Sequence, residues 1–230
     1  MVTKDSYFCP VKKYAVIVAG GKGERMGAEV PKQFLPIAGK PVLMYTIDAF
    51  RPHCDELIVV LPETRLEFWG QLCVKHDFKT QHKMAIGGST RFRSVYNGLK
   101  LVEEKSLVAI HDGMRPLVTQ DIIERCYKLA WEDEGAIAAV ALKDSIRDGR
   151  GNVDRTLFKL VQTPQTFQSR LIKDAYEFYY RIDENGAFFT DDASVFEGAG
   201  NNVTMVEGSY RNIKITTPED LLIAEAILNN

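Results

Sequence analysis

The chain is poor in cysteine, carries almost no net charge, and has no apolar run near the roughly 18 residues of a membrane span. Its four cysteines (Cys9, Cys54, Cys73 and Cys126) are scattered and form no CxxC pair, so neither a disulfide framework nor a zinc site organises the fold. Lys plus Arg number 29 against 31 Asp plus Glu, a net charge of −2. That balance excludes whole-molecule attraction to nucleic acid or to an anionic membrane, so an anionic ligand must meet a local cluster of cations. The first residues, MVTKDSYFCPVKK, lack the apolar core of a secretory signal. The expectation is a soluble protein of the reducing cytoplasm. With 45% hydrophobic and 26% charged residues, the 230-residue chain can bury a sizeable core, which excludes disorder as its dominant state.

Short β-branched apolar runs alternate with amphipathic ones. Strands are expected at 14–18, 57–61, 83–86, 107–111, 136–142 and 203–206. Helices are expected at 41–50, 63–76, 90–104, 120–134, around 169–181, in a short stretch after TDDAS, and at 218–228. Runs such as AVIV and LIVVL are apolar throughout, which implies burial on both faces. The expected fold class is α/β: a Rossmann-like, mostly parallel sheet with helices on both faces and ligands at the carboxyl ends of the strands. The polar, turn-rich segment 143–160 breaks this rhythm, with DGRGN the tip of a protruding β-hairpin. A lone hairpin is marginal in water, so it either packs on its own domain or grips a second subunit. The simplest organisation is one nucleotidyltransferase domain over 1–230, with 143–160 as a dimerisation arm.

Directly after the first strand stand Ala19, Gly20, Gly21, Lys22, Gly23, Glu24, Arg25, Met26 and Gly27, then Pro31-Lys32-Gln33. Glycines here let the backbone approach a phosphate chain and aim N–H groups at its oxygens. GxxxxGK[ST] is absent, which disfavours a P-loop, and Gly21, Gly23 and Gly27 give GxGxxxG, one residue too long for the dinucleotide fingerprint. Arg25 and Lys32 beside such a turn suit charge developing on a transferring phosphoryl or nucleotidyl group.

AGGKGERMG…PKQFLPIAGKPVL resembles the signature of the nucleotide-sugar and cytidylyltransferase superfamily, in the PKQ form typical of the 2-C-methyl-D-erythritol 4-phosphate cytidylyltransferase family. Similar matches follow in order: GGSTRFRSV at 87–95, HDGMRP at 111–116, VDR at 153–155, QTPQTF at 162–167, TDDAS at 190–194 and NIKIT at 212–216. The resemblance implies transfer of CMP from CTP to 2-C-methyl-D-erythritol 4-phosphate, giving the CDP-alcohol and pyrophosphate in the non-mevalonate isoprenoid pathway, with Mg²⁺ bound mainly through the CTP phosphates and no protein metal ligand. It implies Arg25 and Lys32 as transition-state stabilisers, and Ala19, Gly20, Gly21, Gly23, Gly88, Ser89 and Ser94 around CTP. Asp112, Arg115, Ser145, Arg155, Thr190 and Lys214 would serve the second substrate, with Ser145 and Arg155 supplied across a homodimer by the arm. Partners are therefore CTP, a sugar-alcohol phosphate and a second copy of the chain, without nucleic acid or membrane. The ribitol-5-phosphate cytidylyltransferase branch shares most of these motifs, and Met114 replaces a small residue usual in the family. VDR and TDDAS match the methylerythritol branch more closely. A non-catalytic nucleotide-binding regulatory domain is the remaining alternative, opposed by the presence of Arg25, Lys32, Arg155 and Lys214. His111, beside Asp112 at a strand end, reads as a hydrogen-bonded structural histidine; Met26, Phe34 and Phe178-Tyr179-Tyr180 read as packing.

Overall fold

A computed structural model describes residues 11–20 and 31–229; Gly21, Gly23, Arg25 and Met26 lie outside the described residues. The elements run β1 (Lys12–Val18), β2 (Pro36–Ile37), β3 (Lys40–Pro41), α1 (Val42–Phe50), β4 (Glu56–Leu61), α2 (Leu66–Lys75) and β5 (Lys83–Ile86). They continue with α3 (Arg91–Leu99), β6 (Ser106–Asp112), α4 (Gln120–Asp133), β7 (Gly135–Ala141), β8 (Ile146–Asp148) and β9 (Gly151–Val153). The chain then forms β10 (Lys159–Gln168), α5 (Ser169–Ile182), α6 (Asp192–Gly198), β11 (Thr204–Glu207) and α7 (Pro218–Leu228).

Seven strands build the main sheet in the order β11-β7-β10-β6-β1-β4-β5. All pairings are parallel except those of β10, which runs antiparallel to both β6 and β7. The fully apolar strands are buried on both faces. Leu43 and Ile47 of α1, Trp69 of α2 and Ile123 and Tyr127 of α4 cover one face. Phe92 and Val95 of α3, Ile172 and Tyr176 of α5 and Phe196 of α6 cover the other. α7 starts where Thr217 and Asp220 form a capping box with Pro218 inside the first turn, and it packs Ala224 against Ile37, Val42 and Ile215.

Three local expectations need correction. β10 was not foreseen: polar residues fill the segment, and Pro164 lacks the donor a ladder needs. A register shift between Val161 and Gln165 accommodates it. α3 stops at Leu99 rather than continuing to 104, and Val102 still reaches the core through a turn in which its N–H donates to Leu99 O at 3.1 Å. Phe178 does not pack inward but is 55% exposed, whereas Tyr179 and Tyr180 rest against the core.

The arm segment forms the hairpin β8–β9, a separate two-stranded sheet. Asp148 Oδ1 accepts the N–H groups of Arg150 and Gly151 to close its tip, and Gly151 takes φ +143°. Lys159 and Leu160, expected in the arm, belong to β10. Leu157, Phe158 and Leu160 at its base are exposed. Among the described residues, no helix is long and apolar enough to cross a membrane.

Candidate active site

β1 is flanked by β4 on one side and β6 on the other, so the connections diverge around it and a crevice opens at the strands' carboxyl ends. Val18 is level with Val60 on β4 and with Asp112 on β6. The backbone laces the turns beyond: Ala19 N donates to Val60 O (3.0 Å), Gly113 N to Val18 O (2.9 Å) and Gly87 N to Leu61 O (2.8 Å). Above them lies a cleft of about 790 Å³, within the range of ligand sites.

The cleft gathers Ala19, Gly20, Lys32, Gly88, Ser89, Ser94, Asp112 and Lys214, eight of the residues expected to act. Gln33, buried behind Lys32, donates from Nε2 to Ala19 O (2.9 Å), and Phe34 stacks on Trp69 with ring centroids 6.0 Å apart. These anchors fix the backbone that carries Lys32. Across the cleft, Ser94 Oγ accepts from Gly88 N (3.1 Å) and donates to Thr90 O (2.8 Å), so Ser94 shapes the glycine turn from beneath. Gly88 cannot carry a side chain here, since a Cβ would meet Arg93 Cβ at 2.3 Å. Ser89 turns its hydroxyl to Asn185 Oδ1 (3.2 Å), leaving backbone groups as its contribution to the turn.

Asp112 is the electrostatic centre. Its carboxylate meets Arg91 Nε at 3.3 Å, Lys214 Nζ at 2.8 Å and Arg115 Nε at 3.7 Å. Burial alone would raise its pKa, but Arg91, Lys214 and Arg115 together hold it well below the usual carboxylate range. Arg91, inside the GGSTRFRSV motif, belongs to this network as well. It forms a two-pronged ion pair with the fully buried Asp192 (2.8 and 2.7 Å), which also accepts from Tyr176 Oη (2.6 Å).

Other expected residues stand apart. Arg115 sits behind Asp112 rather than on the cleft wall, donating from Nη1 to Asn212 O (2.8 Å), and burial lowers its pKa. Thr190, Ser145 and Arg155 are exposed and do not line the cleft among the described residues. Arg155 Nη1 donates to Lys143 O, tying the two ends of the arm. Three described cysteines, Cys54, Cys73 and Cys126, are free.

His111 has both ring nitrogens engaged, Nδ1 with Thr163 Oγ1 (3.0 Å) and Nε2 with Arg115 O (3.0 Å), while Thr163 Oγ1 accepts from Asp112 N (3.1 Å). The carbonyl fixes the proton on Nε2, and Nδ1 accepts the threonine hydroxyl. Burial is the main reason its pKa falls to about 3. A neutral, fully used imidazole is a structural tie, not a general base. Between pH 6.5 and about 3 the unfolded chain therefore binds a proton that the folded chain refuses, and stability falls as pH drops. We expect urea unfolding to show the parent losing roughly 2 kcal/mol more than His111→Asn between pH 7 and 5. Equal losses would contradict a neutral buried His111.

The family model described as IspD: 2-C-methyl-D-erythritol 4-phosphate cytidylyltransferase matches residues 13–230. The 2-C-methyl-D-erythritol 4-phosphate cytidylyltransferase of Bacteroides thetaiotaomicron is 50% identical over 224 residues, covering 95% of this chain and 100% of that protein. That of Porphyromonas gingivalis is 47% identical over 225 residues, covering 95% and 99%. Among solved structures, the 4-diphosphocytidyl-2C-methyl-D-erythritol synthase of Anaerococcus prevotii is similar at TM-score 0.80 and 30% identity, covering 96% of this chain and 97% of that one. The Francisella tularensis cytidylyltransferase gives TM-score 0.78 and 31% identity, covering 94% and 99%.

Proposed function

The chain belongs to the 2-C-methyl-D-erythritol 4-phosphate cytidylyltransferase family and transfers CMP from CTP to 2-C-methyl-D-erythritol 4-phosphate in isoprenoid biosynthesis, and we propose that the cleft above β1, β4 and β6 is where it does so. The observation that supports this most is convergence: Ala19 and Gly20, Lys32, the Gly88–Ser89 turn and the Asp112–Lys214 pair, far apart in sequence, share one cavity.

The acceptor's phosphate monoester, with a second pKa near ~6, is already an anionic nucleophile at neutral pH. One of its oxygens forms a bond to the α-phosphorus of CTP as the bond to the β-phosphate oxygen breaks and pyrophosphate leaves. No proton need be removed, so catalysis reduces to positioning and charge stabilisation. Lys32, with Arg25, stabilises the charge gathering on the α-phosphate. Backbone groups of Ala19, Gly20, Gly88 and Ser89 hold CTP, with Gly21 and Gly23 along its phosphates and Ser94 keeping the turn in shape. Lys214 takes the acceptor phosphate, with Asp112 and Arg115 fixing its position, and Thr190, on the loop before α6, would have to approach it from outside the cleft.

Among the described residues no three His, Cys, Asp or Glu side chains cluster as a metal site, and both oxygens of Asp112 face cations. These residues do not fit a resident divalent ion, and the CTP phosphates would hold any Mg²⁺ the reaction uses, where it would offset their charge. The chain is one domain with an arm, and its free thiols suit the cytoplasm.

The arm completes the site in a second copy, bringing Ser145 and Arg155 to the acceptor, while the exposed Leu157, Phe158 and Leu160 support a homodimer. Subunit complementation tests this. Lys32→Ala and Arg155→Ala proteins are each expected to be nearly inactive. Exchanging their subunits creates heterodimers with one intact site, and about a quarter of parental activity should return at random assortment. No recovery despite subunit exchange would mean that Arg155 serves its own chain or none.

A further inference from the structure

Arg91 opens α3, where the helix dipole disfavours a cation, and the first turn carries no acid to offset it. Its position is explained by its partners instead. Asp192 grips both Nη atoms, fixed in turn by Tyr176 Oη and by its own N–H donating to Gln165 Oε1 at 2.9 Å. Held in this way, Arg91 presents Nε to Asp112 Oδ1, and Asp112 Oδ2 receives Lys214 at 2.8 Å. The side chain of Arg91 is 29% exposed and forms part of the cleft wall.

We infer that Arg91 is a positioning residue for the acceptor phosphate, acting through Asp112 to set where the Lys214 ammonium stands. The inference rests on Lys214 taking that phosphate. Sharing the Asp112 carboxylate between Arg91 and Lys214 leaves the ammonium less completely neutralised, and so better able to accept a second anion. It also ties the Gly88–Thr90 turn, through α3, to the loop that enters α6.

Arg91→Ala would strand the buried charge of Asp192 and risk unfolding. The test is therefore the paired variant Arg91→Gln/Asp192→Asn, which removes both charges and keeps hydrogen-bonding groups, with Tm as a check on folding. We expect KM for methylerythritol phosphate to rise about tenfold, the scale of one lost charge-assisted hydrogen bond, with KM for CTP changed less than about twofold. Added to Lys214→Ala, the pair should cost almost nothing further, because both changes act through one ammonium. An unchanged acceptor KM, an equal rise in the KM for CTP, or full additivity with Lys214→Ala would each overturn the proposal. If Lys214→Ala itself leaves the acceptor KM unchanged, it is the assignment of Lys214 that has failed, and the inference falls with it.

Discussion

Lys32→Ala is expected to lower kcat by about 10²–10³-fold while CTP still binds with an affinity close to that of the parent. The asymmetry follows from when the charge appears. On the proposed reading, backbone groups of two glycine turns hold CTP in the ground state, and the substitution leaves those groups in place. Negative charge concentrates on the α-phosphate only as the acceptor oxygen attacks, and a cation fixed beforehand is worth most at that moment. Lys32 is fixed in this sense because Gln33 is tied to Ala19 O and Phe34 is wedged against Trp69 and Phe68. Single-turnover kinetics with CTP titration separates the two effects. An unchanged kcat, or a loss confined to CTP affinity, would remove Lys32 from the transition state.

Asp112→Ala is expected to cost about 3–5 kcal/mol of stability, the usual result of removing one partner from a buried ionic network. It leaves Arg91, Lys214 and the largely buried Arg115 facing one another without their shared anion. For a chain of this size, a Tm lower by on the order of ten degrees should result, along with loss of acceptor binding. The pH sign is fixed by the same network: a carboxyl held below its unfolded pKa stabilises the fold above that value, and the contribution is lost as pH falls further. A Tm within a degree or two of the parent's would show that the three cations do not depend on Asp112.

The elements most legible in the sequence were those whose pattern and function coincide. β1, β4 and β6 are buried on both faces and read as unbroken apolar runs, and α7 carries its own start signals in Thr217, Pro218 and Asp220. Gly20, Gly88 and Lys32 stood out by residue type and by their place after strands, Asp112 and Lys214 by motif order, and all five line one cleft. β10 hid for the opposite reason, since apart from Pro164 and Phe167 its buried positions are polar and most serve as ties. Thr163 bonds His111 and Asp112, Gln165 bonds Asp191 and the backbone of Asp192 and Ala193, and Gln162 reaches Ser209. Hydrophobic periodicity cannot register a strand built to hold a site together. Arg91 was missed because its partner, Asp192, lies 101 residues away, yet an arginine at a helix start without a neighbouring acid was an available signal. Arg115 was expected at the substrate and lies behind Asp112 because its main-chain neighbour, His111, and its acceptor, Asn212 O, draw it inward.

The most direct test of this cleft is whether the protein joins CMP to methylerythritol phosphate. Pyrophosphate release by the purified protein, with Mg²⁺ and CTP, should be measured against methylerythritol phosphate and ribitol 5-phosphate in separate reactions. Release with the first alone is the expected result. Release with ribitol 5-phosphate alone, or with neither in a folded protein that binds CTP, would contradict it.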